Sequence, residues 1–231
     1  MKNIFTCIFL LSGLFQSSAN GQTVDVSSWV NWKKYAAAND TLKAPAPGEK
    51  RVVFFGNSIT ESWAKIDSSF FNENHYLDRG ISGQTTSQML IRFRQDVIDL
   101  KPYLVVIMAG INDIAENAGP IALNDVFGNI VSMIQLAQVN NIKVIISSVL
   151  PANTFPWRRQ LKPADEVIQL NSMLKSYCQE NNITYADYYP LMVDEMKGLD
   201  KRYTLDGVHP NFEGYQIMDG LVQESIKKLL Q

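Results

Sequence analysis

Short unbroken apolar runs recur along this chain, each followed by a stretch with helical periodicity. RVVFFG (51–56), YLVVIMAG (103–110) and IKVIISSVL (142–150) are dominated by branched and large apolar residues, and ITYADYY (183–189) is a more polar example. Such runs are short for a helix and lack the alternation of a half-exposed strand, so they are expected of parallel strands buried on both faces. NENHYLDRG (72–80) enters a further strand at His75.

The intervening segments read as amphipathic helices. Val126, Ile130, Ile134 and Ala137 share one face of a helix, as do Val167, Leu170, Leu174 and Tyr177. Met89, Ile91, Phe93 and Val97 form an untidier stripe, and Met218, Leu221, Val222 and Ile226 mark a last helix beginning after Pro210. Strand and helix alternate, which predicts one α/β domain with a mostly parallel sheet and helices on both faces. At 231 residues and 46% hydrophobic composition the chain can bury one sizeable core. A net charge of −2 leaves no electrostatic case for nucleic acid or an anionic membrane surface as a partner.

The N-terminus reads differently. Lys2 precedes the apolar run IFTCIFLLSGLF, and the small residues of SSANGQ follow. This is the pattern of a secretory leader, residues 1–21, with cleavage expected after Ala19 or Gly21, export to the periplasm or medium, and no integral membrane association afterwards. Cys7 lies at the beginning of the apolar run instead of ending it, which argues against lipid anchoring there. Cys178, then the only remaining cysteine, has no internal disulfide partner and sits among apolar helical positions, where it packs as a small hydrophobe. Residues 22–50 are expected to form a helical segment up to Leu42 and an APAPGE connector, with Trp29 and Trp32 packing on the domain of residues 51–231.

In open parallel sheets, ligands bind outside the carboxyl ends of the strands. Polar residues of interest follow the apolar runs here. Ser58 follows RVVFFG within GNSIT, Gly83 lies in RGISGQTT, and Asn112 follows YLVVIMAG within AGINDI. Of the two histidines, His75 has no polar constellation of its own, whereas His209 lies in DGVHPN three residues after Asp206. That spacing can bring a carboxylate to the imidazole Nδ1–H on one turn and leave Nε2 facing a serine. Each residue alone has a plainer reading as a turn residue or helix cap. No glycine stands two residues after Ser58, so the G-x-S-x-G elbow is absent. Two isolated histidines and one cysteine show no metal-ligand spacing.

Taken in order, GNSIT, GISGQTT, AGINDI and DGVHPN resemble the four sequence blocks of the GDSL lipase/acylhydrolase family, the SGNH hydrolases, over roughly residues 51–211. The resemblance implies a flavodoxin-like three-layer α/β/α sandwich with no metal and no organic cofactor. It further implies Ser58 as nucleophile, His209 as base, Asp206 as its partner, and Ser58, Gly83 and Asn112 as oxyanion donors. One departure is visible: Asn57 precedes the serine where the family usually has aspartate. The proline-punctuated segment LPANTFPWRRQLKPADE follows a strand and adds Phe155, Trp157 and Arg158 as candidate substrate contacts, beside Asn57 and Asp113. Within such a family, export, the lack of a large apolar lid and this polar-aromatic loop favour removal of short acyl groups, O-acetyl foremost, from a glycan or small-molecule ester. A lysophospholipase or thioesterase-like acylhydrolase, or a non-catalytic glycan-binding protein, are the alternatives.

Overall fold

The computed structural model describes residues 25–231, so the expected leader lies outside the described residues. Two short helices come first, α1 (Val26–Val30) and α2 (Ala36–Thr41), followed by the connector. The sheet is then laid down as β1 (Val52–Gly56), β2 (Leu77–Gly80), β3 (Leu104–Ile107), β4 (Lys143–Ser147) and β5 (Thr184–Ala186). Helices α3 (Ser58–Ile66) and α4 (Ser68–Asn74) follow β1, and α5 (Thr86–Asp96) follows β2. After β3 come α6 (Ile111–Ile114) and α7 (Leu123–Val139), and α8 (Ala164–Glu180) follows β4. The chain closes with α9 (Tyr189–Met192) and α10 (Phe212–Leu230).

All five described strands are parallel, in the order β2-β1-β3-β4-β5, the flavodoxin-like arrangement. Helices α5, α7 and α8 pack in sequence along one face, and α3 packs with α4 and α10 on the other. The apolar runs are buried as expected: β1 and β3 are covered along their whole length. On the α3 side, Trp63 stacks on Tyr215 and Phe70 and meets Phe54 edge-on. Gly80 is required where α3 crosses the end of β2, because a Cβ there would lie 2.2 Å from the Glu61 backbone nitrogen.

The first segment departs from expectation in detail. Trp29 and Trp32 are each 38% exposed, and Val30 is the buried residue. Backbone carbonyls and polar side chains do the anchoring: Gln88 donates to Trp29 O, Gln95 to Trp32 O, and Asn39 to Asp96. In α5 the stripe is Met89, Phe93 and Val97, with Ile91 outside it. Cys178 is buried, and burial pushes its thiol up to about 12. Among the described residues no helix is long and apolar enough to cross a membrane.

Asp219 on α10 accepts from the Trp63 indole at 2.7 Å with Asp67 close by. Burial, reinforced by the Asp67 carboxylate, pushes its carboxyl up to about 7. A folded-state value above the unfolded one, about 3.9, means the stabilising contribution is complete below about pH 4 and lost as pH rises through about 7. Asp219→Asn keeps an acceptor for the indole without the buried charge. Its Tm relative to the parent protein is therefore expected to be more favourable at about pH 8.5 than at about pH 5, as measured by thermal unfolding.

Candidate active site

Ser58 is the first residue of α3, two positions beyond the end of β1. Asn57 holds the helix entry: its Oδ1 accepts from the Ile59 N–H at 3.1 Å. The rest of its amide is buried, and Nδ2 has no hydrogen-bond partner. Asn57, expected as a substrate contact, is 1% exposed and caps the helix.

His209 comes from the turn before α10, and its Nε2 lies 3.0 Å from Ser58 Oγ. The opposite ring nitrogen, Nδ1, is 2.7 Å from Asp206 Oδ2. The other Asp206 oxygen accepts the backbone N–H groups of Val208 and His209 at 2.9 and 2.8 Å. Burial works against the ionised Asp206, but the bonds from His209 and Val208 outweigh it and hold its carboxyl below the usual range. Gly207, at φ +86°, lets the turn close, and Thr204 Oγ1 bonds to the His209 carbonyl. The D-x-x-H spacing thus yields the geometry expected of it, with an aspartate ionised over the range in which an imidazole works.

Gly83 and Asn112 are also brought together. Gly83 sits at φ +79° at the exposed tip of the loop between β2 and α5. Asn112 Nδ2 donates to the carbonyl of the adjacent Gln84 at 3.0 Å, using one of its two hydrogens. Asn117 fixes the sense of that amide by donating to Asn112 Oδ1 at 3.0 Å, and reaches the Gly83 carbonyl at 3.4 Å. Neighbouring Asp113 points elsewhere. Expected as a substrate contact, it is buried and accepts the Thr86 N–H and Oγ1–H, anchoring the start of α5. Burial pushes its carboxyl up to about 6 against the pull of the Thr86 bonds.

Of the three residues expected from the loop after β4, Trp157 is exposed, Arg158 half-buried and Phe155 buried. Trp157 is 46% exposed, with its ring centroid 6.2 Å from that of His209, and its indole N–H reaches Asn117 Oδ1 at 3.3 Å. Phe155, also expected as a substrate contact, is fully buried beneath Trp157, where the loop packs on its own aromatic. Arg158 is engaged with Glu116, through its carbonyl at 3.1 Å and its carboxylate at 3.7 Å.

Sequence reasoning missed the groups behind these residues. Arg92 is completely buried, with its guanidinium over the Phe55 ring, and donates to Gly56 O, Arg79 O, Gln84 Oε1 and Asp96. The available signal was an Arg92–Asp96 pair at i, i+4 on the same helix face as Met89 and Phe93. Among the described residues no three His, Cys, Asp or Glu side chains cluster as a metal site.

Residues 54–217 match the model of the GDSL-like lipase/acylhydrolase family. The fold superposes on a candidate acylhydrolase of Bacteroides fragilis with a TM-score of 0.87 at 51% identity, covering 88% of this chain and 99% of that one. A GDSL-like lipase of Bacteroides thetaiotaomicron gives a TM-score of 0.85 at 51% identity, covering 87% and 98%. An uncharacterised lipoprotein of Bacillus subtilis, YqeF, is 31% identical over 121 residues, 45% of this chain; the match spans half of that protein's length.

If Asp113 is an anchor, Asp113→Ala strands the Thr86 donors. It is expected to lower unfolding free energy by about 1–3 kcal/mol in denaturant titrations, with KM for a small ester little changed.

Proposed function

Since this chain belongs to the GDSL-like lipase/acylhydrolase family, we propose that it is a serine esterase acting through Ser58, His209 and Asp206, with a short acyl group, O-acetyl foremost, on a carbohydrate as substrate. The observation that carries the reading is the continuous relay from Ser58 Oγ to His209 Nε2, 3.0 Å, and from His209 Nδ1 to Asp206 Oδ2, 2.7 Å. A serine is a poor nucleophile until a base takes its proton, and the carboxylate keeps the imidazole in the tautomer that can do so.

In the proposed reaction Ser58 Oγ attacks the ester carbonyl as its proton passes to His209 Nε2. The oxyanion is held by the N–H groups of Ser58 and Gly83 and by the remaining Asn112 Nδ2 hydrogen. His209 then protonates the departing alcohol, and afterwards deprotonates the water that releases the acyl group and regenerates Ser58. Trp157 offers an exposed aromatic face beside His209, suited to a sugar ring. Export through residues 1–21 is part of the same proposal and accords with a substrate outside the cell.

A second reading has its own support. A groove of about 700 Å³ runs beside the base turn, bordered by Thr204, Leu205, Gly207 and Met196. Leu205 and Met196 are among the most exposed apolar side chains described, which would suit a longer acyl chain. Hydrolysis of p-nitrophenyl acetate, butyrate and octanoate separates the two: kcat/KM should fall steeply with chain length, and a rise would favour the lipid or thioester substrate. Ser58→Ala should abolish turnover and labelling by a fluorophosphonate, and full activity in that variant would overturn the assignment. Asp206→Asn is expected to lower kcat by up to about 10⁴-fold, and Asn112→Ala by about 10²–10³-fold.

A further inference from the structure

Gly83 stands at an exposed loop tip with a left-handed backbone, in a turn closed by the Gln84 N–H on the Ile81 carbonyl at 3.3 Å. The loop is also tied down on both flanks by groups from elsewhere. Glu61, in the first turn of α3, sends its carboxylate to Ser82: Oε2 accepts the Ser82 N–H at 2.8 Å and its hydroxyl at 2.7 Å. This reach depends on the close crossing of α3 over Gly80. The carboxylate's second oxygen receives Lys34 Nζ at 2.6 Å and Lys65 Nζ at 2.7 Å. Burial opposes the charge on Glu61, but the bonds from Lys34, Lys65 and Ser82 outweigh it and hold the carboxyl at about 2.

Lys65 lies on the same helix as Glu61 and ties nothing new to it. Lys34 belongs to the segment before the sheet, outside residues 54–217. Around it the segment touches the loop's two ends: Tyr35 donates its hydroxyl to Gly80 O, and Gln84 donates its side-chain amide to Val30 O. Gln88 and Gln95 bond to the carbonyls of Trp29 and Trp32 from the helix that follows the loop. The contacts thus bracket positions 81–83 and leave only the tip exposed.

We propose that Glu61, clamped by Lys34 of the N-terminal segment, is a positioning residue that holds the Ser82–Gly83 loop in place for oxyanion stabilisation. The catalytic consequence rests on the esterase reading above; the clamp itself does not. Misplacement of a donor by about 1 Å can cost on the order of 10²-fold in rate without changing ground-state binding, so the effect belongs in kcat.

The test uses the full chain in three variants: Lys34→Met, Lys34→Arg and Glu61→Gln. Lys34 is partly exposed at the surface, so its replacement leaves the core intact. Amide hydrogen exchange is followed by mass spectrometry over residues 80–85, with peptides from β1 and β3 as internal reference. Kinetics on p-nitrophenyl acetate are measured alongside. Lys34→Met and Glu61→Gln are expected to accelerate exchange in the loop alone, and to lower kcat by about 10-fold or more with KM within about twofold; Lys34→Arg should restore both. Unchanged loop exchange in Lys34→Met and Glu61→Gln overturns the clamp, as does acceleration spread equally over β1 and β3. Faster loop exchange with kcat unchanged overturns the catalytic part. Should the parent protein show no Ser58-dependent turnover, the esterase reading and the catalytic consequence fail together, and the exchange measurement decides the clamp by itself.

Discussion

The guanidinium of Arg92 joins the two strand ends from which the site is built. Gly56 O, Arg79 O, Gln84 Oε1 and the Asp96 carboxylate all accept from it, and none of its surface reaches solvent. Gly56 is two residues before Ser58, and Gln84 is the residue after Gly83. A planar group with five fixed donors can hold four acceptors from three elements in one geometry, which a lysine could not. Burying such a charge costs several kcal/mol unless every partner is present, and losing one partner typically costs about 3–5 kcal/mol. The arrangement therefore either forms completely or fails, and that cooperativity fixes the relation of Ser58 to the loop carrying Gly83.

Against that fixed side, the base side is built locally. Asp206, Val208 and His209 are joined within one turn, closed by Gly207 and by Thr204 Oγ1 on the His209 carbonyl. Among the described residues the Ser58–His209 hydrogen bond joins this turn to α3. Asn57 belongs to the buried side. Its cap on Ile59 needs an acceptor oxygen, which an amide supplies as well as a carboxylate does. What the amide omits is a negative charge at the start of the helix whose first residue is Ser58, the proposed nucleophile, where the peptide dipoles would otherwise favour an anion.

This division accounts for what could be read from the chain. The apolar runs named the strands because a sheet covered on both faces leaves little choice of residue, and the Asp206–His209 pair was legible because both members share one turn. Their relation to Ser58, at 151 positions' separation, came from the order of the four blocks, not from spacing. Glu61 and Arg92 were hidden because, apart from Lys65 and Asp96 on their own helices, their partners come from other elements, and a charged residue on a helix is ordinarily solvated. Phe155 and Trp157 carry the same aromatic signal within one loop, and only packing decides that one lies beneath the other. Asp113 follows Asn112 directly, yet a helical step of about 100° turns it toward α5.

The unequal burial of the two sides also bears on how a substrate enters. Asn112, Gln84 and Arg92 are buried. Trp157 and Leu205 are exposed, the His209 imidazole is partly exposed, and the groove beside Leu205 is lined by residues between 193 and 201. In the proposed reaction the acyl carbonyl lies toward the buried donors and the alcohol toward His209, which would protonate it. Variation in the alcohol is then felt first by Trp157 and the base turn, whereas the buried side meets the same carbonyl in every ester. The part of the site held rigidly is the part whose ligand does not change.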